Sequence, residues 1–469
     1  EPTDLHYLDH FKLGGDPLDQ LIRLFLLRGR LGEDRCRSLF GSERFAQMLE
    51  LGLVQSRDGD CSATVDVYPV GALLIATDHR YHVRSDDQLD EEPVMYLGRD
   101  SIGLAMAAPR AATGHHLDLC TGSGVQALVA ASYAEQVIGV DINPRALRFA
   151  RFNAAWNDVR NATFVPGDLY EPVRGRRFGS VTANPPFVPS PSSSLAFRDG
   201  GADGEAVLRR IVEGAPAHLE PEGRLSIVTD LAAVEEYAEK LSGWWGQTGY
   251  VAQILTTADR DELLFSVPHA HAPFGQRYED YCRELEAWIN SYRRAKLSAV
   301  NFGYLVVQDI APQTNKLTYT KVVDSPLTPV WQRVQALLDF QRMQASRQLG
   351  KVTLRAADGL TVRTDRPLDE RSEARHVVVA GDEDPWFTQY TVDAVMLSLL
   401  QRAAKADIAW HTLVEEGLDG YAVALVEKGL LVSSGTVQGR ASALSPQGKV
   451  HIDETASKTT PTCLSNYLR

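Results

Sequence analysis

Four short apolar runs in the middle of the chain each end on residues able to do chemistry. The first closes on Asp118-Leu119-Cys120-Thr121-Gly122-Ser123-Gly124, the second on Asp141, the third on Asp168 and the fourth on Asn184-Pro185-Pro186-Phe187. Gly122 and Gly124 let the backbone turn sharply and approach a ligand closely, and a helix starting there presents free N–H groups. An anion at that turn would meet the negative charge of Asp118, whereas a ligand ammonium would be attracted to it. Asp141 stands 17 residues after Gly124, where an acid can accept both hydroxyls of a ribose. Asp168 can accept from an exocyclic amino group. Two other readings stay open. Asp141, just before Asn143-Pro144-Arg145, also fits a helix N-cap. The turn could belong to a dinucleotide fingerprint with Ala127 at its third small position.

The Asn-Pro-Pro-Phe stretch needs its own explanation. A Pro-Pro pair cannot continue a helix or pair inside a sheet, so it holds Asn184 and Phe187 rigidly after an apolar run. The nitrogen of an amide or aromatic amine is a poor nucleophile because its lone pair is delocalised. A neighbour that accepts its N–H bonds draws density back onto it. The Asn184 side-chain oxygen and the Pro185 carbonyl can both do this, and Pro185 and Pro186 fix φ so that these acceptors are preorganised. Phe187 offers a face on which a planar amide or base can stack. The alternative is a Pro-rich turn with Phe187 in the core.

These residues sit on a regular framework. Short, near-continuous apolar strands alternate with helical stretches from about 94 to 310, which predicts an open, mostly parallel sheet covered on both faces. Before it, "DPLDQLIRLFLLRG" reads as a helix started by Asp16-Pro17, with Leu18, Ile22, Leu26 and Leu27 at helical spacing. "RDGD" at 57–60 carries a hairpin signature. An acidic linker, 86–93, follows. After the sheet, "VWQRVQALLDFQRMQASRQL" and "DPWFTQYTVDAVMLSLLQRAA" read as helices, "DGYAVALVEKGLLV" as a strand and turn, and the Ser/Thr/Gly-rich tail as short strands. No internal repeat is visible. The expected division is an N-terminal helical or winged-helix-like unit over 1–93, a sheet domain over 94–315 and a C-terminal α+β unit over 316–469.

Taken together, "DLCTGSG", "GVDINPRAL", "GDLYEPV" and "ANPPF" resemble the class I S-adenosylmethionine-dependent methyltransferases. The likeness is to the branch with an [N/D]-P-P-[F/Y/W] motif, which includes the release-factor glutamine methyltransferases and the ribosomal-RNA guanine and adenine amino-methyltransferases. It covers residues 94–235, about a third of the chain. It implies an α/β, Rossmann-like domain with a mostly parallel seven-stranded sheet, and S-adenosylmethionine as cofactor with S-adenosylhomocysteine as product. Asp118, Cys120 and the backbone at Thr121, Gly122, Ser123 and Gly124 would hold the methionine part. Asp141 and Ile142 would bind the ribose, Asp168 and Leu169 the adenine. Asn184, beside the cofactor, and Pro185, Pro186 and Phe187 would receive the acceptor. Arg198-Asp199-Gly200-Gly201 with Gly204 resembles a loop that closes over the acceptor. Tyr96, Arg99 and Asp100 would lie at the pocket mouth. In-line methyl transfer mainly needs alignment, so no dedicated base is required.

Composition narrows the rest. The chain has 469 residues, a formal net charge of −13, and 44% hydrophobic residues, as in soluble globular proteins. No apolar run reaches the ~18 residues that span a bilayer, and no signal peptide is visible. Five cysteines without a CxxC pair point away from a disulfide framework or a zinc site, and towards a reducing cytoplasm. The acidic balance disfavours a protein that wraps nucleic acid; "RGRRF" at 174–178 and Arg209-Arg210 are modest basic candidates. The expected acceptor is an amide or amino nitrogen of a protein or peptide. An exocyclic amino group of RNA or DNA, and a small molecule, are the alternatives.

Overall fold

The computed structural model describes residues 7–79, 92–191, 198–246, 249–270, 277–310, 315–322, 324–366, 368, 374–379 and 389–433. Most of the acidic linker, the serines at 192–194, Cys463 and the tail from 434 lie outside the described residues.

The N-terminal unit runs α1 (Pro17–Phe25), β1 (Leu31–Gly32), α2 (Glu33–Phe40), α3 (Ser42–Glu50), β2 (Val54–Arg57) and β3 (Asp60–Ala63), with the antiparallel strand order β1-β3-β2. This is the layout of a winged helix. Asp16 caps α1, accepting from the Asp19 N–H at 2.8 Å. Asp58 and Gly59 both take positive φ, 54° and 84°, as the tight hairpin turn requires. Leu18 faces solvent rather than the core, which α1 reaches through Leu24 and Phe25. A second hairpin, β4 (Asp66–Val70) and β5 (Leu73–Thr77), leads into the sheet domain.

That domain contains α4 (Arg99–Ala107), β6 (Thr113–Leu119), α5 (Val125–Ala130), β7 (Ala134–Asp141), α6 (Pro144–Trp156), β8 (Ala162–Pro166), β9 (Phe178–Ala183), α7 (Ala206–His218), β10 (Leu219–Ala232), α8 (Tyr237–Trp245), β11 (Tyr250–Arg260), α9 (Glu262–Ala270), α10 (Tyr278–Arg294), β12 (Val300–Asp309) and β13 (Lys316–Lys321). The sheet order is β13-β11-β12-β10-β9-β6-β7-β8. Strands β8, β7, β6, β9 and β10 run parallel, and β12 is antiparallel to both β10 and β11. The expected seven strands become eight because β13 pairs parallel with β11. Its residues lie past the boundary expected at 315, so the sheet domain extends to at least Lys321. On one face Leu117, Leu119, Val181 and Ile227 pack with Leu208, Ile211 and Val212 of α7. On the other, Val137 packs with Leu128 of α5 and Leu147 of α6. Each fully buried aliphatic side chain contributes roughly 1.5–3 kcal/mol.

Strand order reverses between β6 and β9. Ligands of open α/β sheets bind at the carboxyl ends beside such a switch point. Asp118 lies just before the end of β6, Asp141 ends β7, Asp168 follows β8 and Asn184 follows β9.

The C-terminal unit comprises α11 (Trp331–Ala345), β14 (Thr353–Ala356), a three-stranded sheet of β15 (Thr361–Asp365), β16 (Arg375–Val379) and β17 (Tyr390–Val392), and then α12 (Ala394–Ala403), β18 (Ile408–Ala409), α13 (Trp410–Glu415), α14 (Asp419–Glu427) and β19 (Leu431–Ser433). Two sequence expectations fail here. The long helix expected over 384–404 begins only at Ala394, where Asp393 accepts from the Met396 N–H at 2.7 Å; β17 precedes it. The segment 419–427, expected to be a strand, is helical, because its apolar residues bury Ala422, Leu425 and Val426 on one helical face.

A repeat invisible in the sequence emerges. The order helix, strand, helix, helix, strand of α1-β1-α2-α3-β2 recurs as α12-β18-α13-α14-β19, and β14 takes the place of β3 between the outer strands. Both copies turn out of the last helix the same way. Gly52 and Gly429 each take φ 71°, and the next residues, Leu53 and Leu430, donate back to Met48 and Leu425. This is the glycine stop of a helix that must reverse at once into a strand.

Candidate active site

The glycine turn is built around Asp118. Its carboxylate is 1% exposed and accepts from the Thr121 hydroxyl at 2.5 Å, the Thr182 hydroxyl at 2.8 Å and the Ala127 N–H at 3.2 Å. It therefore ties β6, β9 and the start of α5 together from inside. All the bonds described for Asp118 go to protein groups, so it holds the turn in shape; a contact with a ligand ammonium is what the resemblance implies for it. Burial pushes its carboxyl up to about 7 against the hydrogen bonds that lower it. Beside it, His116 is fully buried between the Ser180 and Thr182 hydroxyls, at 2.7 and 3.0 Å. Burial depresses its pKa to about 3, so it is neutral. Cys120, Gly122 and Gly124 all take positive φ, 54°, 52° and 85°. A side chain at Gly124 would sit 3.0 Å from the Ala150 Cβ of α6, so this glycine lets turn and helix pack closely. Thr121 and Ser123 are buried within the turn.

Asp141 does double duty. Its two oxygens accept from the Gly122 N–H at 2.8 Å and the Asn143 N–H at 2.9 Å, while Asn143 itself caps α6, accepting from the Arg145 N–H at 2.9 Å. The helix cap expected at Asp141 is therefore Asn143, and since each carboxylate oxygen can accept further bonds, Asp141 keeps acceptor capacity beyond these two N–H groups. Burial raises the Asp141 pKa, opposed by these N–H bonds. Ile142, next in line, is 68% exposed, an apolar surface beside an acid. Asp168 Oδ2 accepts from Arg210 Nη2 of α7 at 2.7 Å. A cavity of about 190 Å³ runs past Asp168, Leu169, Tyr170 and Arg210. Two larger cavities, about 500 and 440 Å³, lie in the C-terminal unit.

Asn184 is held by α4. Its Nδ2 donates to Asp100 Oδ2 and to Ser101 Oγ, both at 3.0 Å. Its Oδ1 is buried and has no donor among the described residues. Asp100 is thus behind Asn184, not at the pocket mouth. Arg99 pairs with Asp324 on the surface. Tyr96 is half-buried close to Gly98, which itself packs against Asp100. Phe187 packs tilted against Phe302, ring centroids 6.2 Å apart, so its expected free face is partly spent in the core.

The loop after the Asn-Pro-Pro-Phe stretch folds back on it. Val188 donates to Arg198 O and Gly200 to Val188 O, both at 3.0 Å. A side chain at Gly200 would lie 2.9 Å from the Phe187 Cα, and one at Gly204, where φ is 76°, 2.3 Å from the Phe187 carbonyl. Those glycines exist because backbone meets backbone. Arg198 and Asp199 pair at 2.7 Å with Asp199 buried, and Arg198 lies 5.2 Å over the Trp288 ring of α10. Both residues, expected to bind acceptor, make contacts that dock the loop. The surface they dock on, α9 and α10 inserted between β11 and β12, was missed in the sequence. Phe265, Trp288 and Tyr292 form its core with Val188. An aromatic-rich stretch between two apolar strands was the available signal. Among the described residues no group of His, Cys, Asp or Glu is arranged to hold a metal, and no helix is long and apolar enough to cross a membrane.

A mostly parallel sheet with acids at the ends of adjacent strands, a glycine turn at the switch point and Asn-Pro-Pro-Phe after the next strand make a Rossmann-like α/β domain, the fold that the resemblance to the class I methyltransferases implies. Residues 101–254 match the family described as methyltransferase small domain. The chain is 36% identical over 116 residues to the release factor glutamine methyltransferase of Thermodesulfovibrio yellowstonii, covering 22% of this chain and 42% of that one. It is 39% identical over 123 residues to the ribosomal protein uL3 glutamine methyltransferase of Bradyrhizobium diazoefficiens, covering 23% and 38%. The chain thus spans about two fifths of the length of these curated relatives. A ribosomal protein L11 methylase from Lactobacillus delbrueckii subsp. bulgaricus aligns at TM-score 0.26 and 15% identity, covering 45% of this chain and 78% of that one.

Proposed function

We propose that this chain methylates the side-chain amide nitrogen of a glutamine in a protein, with S-adenosylmethionine as donor. The carrying observation is Asn184: a buried carbonyl oxygen without a donor among the described residues, on an amide whose other end is anchored. Buried acceptors are rarely left unpaired, so Oδ1 reads as waiting for the N–H of an acceptor. Together with the Pro185 carbonyl it can take both protons of a primary amide, orient the nitrogen and return density to it. Phe187 and the docked loop 198–204 would wall off water. The names of the relatives, both glutamine methyltransferases, support the acceptor class.

The residues fit the cofactor. Asp141 has acceptor capacity left for hydroxyls, Ile142 offers an exposed apolar face, the turn at 122–124 approaches closely, and the cavity beside Asp168 and Leu169 lies where an adenine would continue. When bound, the cofactor supplies a methyl group activated by a sulfonium. Asp118 keeps the turn in shape from behind.

The test is transfer of labelled methyl to purified release factor, purified uL3 and fractionated cell extract, with the modified residue located by mass spectrometry. Label on glutamine is the expected result; label confined to RNA or small molecules sinks the acceptor reading. Asn184→Ala should keep S-adenosylhomocysteine binding by calorimetry and lose transfer on the order of 100-fold, as when one preorganised hydrogen-bonding group is removed. An unchanged rate would refute the role of Asn184.

A further inference from the structure

We infer that Asp100 and Ser101 are positioning residues that fix which end of the Asn184 amide faces the acceptor; this rests on the reading of Asn184 above. An asparagine side chain is nearly symmetric in shape, and its two ends differ only in whether they donate or accept. For the proposed reaction the difference decides everything, because only the oxygen can receive acceptor N–H groups. The Pro185-Pro186 backbone fixes where the side chain starts but not which way the amide is turned.

Asp100 settles the choice. Asn184 Nδ2 donates to Asp100 Oδ2, so the NH₂ end of the amide is turned to Asp100 and Oδ1 must point the other way. Ser101 Oγ takes the second proton of the same NH₂ at 3.0 Å. Both donors of Asn184 are then used, and its acceptor is left over, buried and partnerless among the described residues.

The two residues are themselves fixed. They lie in the first turn of α4 and both are buried. Gln126 Nε2 of α5 donates to the Ser101 carbonyl at 2.7 Å, tying that turn to the helix behind the glycine turn. Gly98 leaves the room: a Cβ there would lie 2.2 Å from Asp100 Oδ1. A glycine, an acid and a hydroxyl in "GRDS" thus form one device. The expected pocket-mouth role of Asp100 is replaced by one exerted through Asn184.

The test is a cycle of variants with two readouts. Asp100→Asn is close in shape but lets the facing amides pair either way round, so transfer to the glutamine acceptor should fall about 10- to 100-fold in kcat, the loss expected of a charge-assisted bond. Ser101→Ala should fall by less. Binding of S-adenosylhomocysteine should change by less than about threefold, because the interaction matters at the transition state. Combined with Asn184→Ala, Asp100→Asn should add no further loss, since a group acting through Asn184 has nothing left to position. Additive losses, or a wild-type rate in Asp100→Asn, overturn the inference. If Asn184→Ala alone transfers normally, the reading of Asn184 fails instead. The second readout needs no turnover: the side-chain NH₂ protons of Asn184, followed by NMR in asparagine-labelled protein, should exchange slowly with solvent and at least about tenfold faster in Asp100→Asn. Equal exchange in both proteins overturns the positioning role whatever the activity.

Discussion

Replacing Asp118 with asparagine should change how stability depends on pH while leaving the ligand site intact. In the native protein burial lifts this carboxyl from its ordinary 3.8 to about 7, whereas in the unfolded chain it titrates near 3.9. Below about pH 4 both states are protonated and no penalty exists. As pH rises towards 7 the unfolded chain ionises and the native one resists, so stability falls, and the loss is complete above about 7. A shift of this size corresponds to at most about 4 kcal/mol. The substitution removes the titration. The amide oxygen it introduces can still accept from Thr121 and Ala127, and the amide NH₂ can face the Thr182 hydroxyl, which then donates to neutral His116. His116 acts in the opposite sense. Its depressed pKa contributes stability present above about 6.5 and lost as pH falls towards about 3, but it is common to both proteins and cancels from their difference. Urea midpoints and slopes of the two proteins, measured across about pH 4 to 7, should show the variant gaining on the wild type as pH rises. S-adenosylhomocysteine binding should persist in the variant, because the carboxylate faces inward. Parallel pH curves would mean that Asp118 is ionised in the native protein, and the burial argument would be wrong.

Asp141→Ala should weaken S-adenosylhomocysteine binding about 100-fold by calorimetry, the size of two bonds to a charged acceptor, because it removes both the remaining acceptor sites and the anchor of the Gly122 N–H. Asn153→Ala should destabilise by about 2–5 kcal/mol, since this fully buried side chain of α6 bonds both the N–H and the carbonyl of Ala76 in β5 and also the Ser123 carbonyl, each at 2.9 Å. Hydrogen exchange should then speed up together at β5 and at the glycine turn, not at one alone. Gly204→Ala should disrupt the docked loop and reduce transfer, as its Cβ would meet the Phe187 carbonyl at 2.3 Å in a backbone conformation that also costs about 1–2 kcal/mol for any L side chain; full activity in that variant would show that the loop is dispensable.

Much of the site could be read along the chain because its parts are local. A strand end, a glycine turn and an acid lie within a few residues of each other, so "DLCTGSG", "GVDIN" and "ANPPF" carried both the parallel strands and the candidate residues at their carboxyl ends. The start of α1 at Asp16 and the hairpin turn at Asp58-Gly59 followed from equally local rules. Direction was another matter. Asp118, Asp168, Arg198 and Asp199 look alike as ligand groups in a sequence. Only packing showed that Asp118 is turned inward onto Thr121 and Thr182, that Asp168 meets Arg210, and that Arg198 and Asp199 pair beneath Trp288. Asp100 and Asn184 are 84 residues apart and meet because α4 lies beside the end of β9. The helix pair α9 and α10, the eighth strand and the recurring helix–strand–helix–helix–strand unit were likewise decided by long-range contacts. A short apolar run such as 419–427 suits a strand or a buried helix equally well, and the choice falls to whatever it packs against. The sequence by itself determined which atoms could do the chemistry. The tertiary structure decided which of them are turned inward onto the protein, because a carboxylate or an amide acquires its direction only from the partners that satisfy its other side.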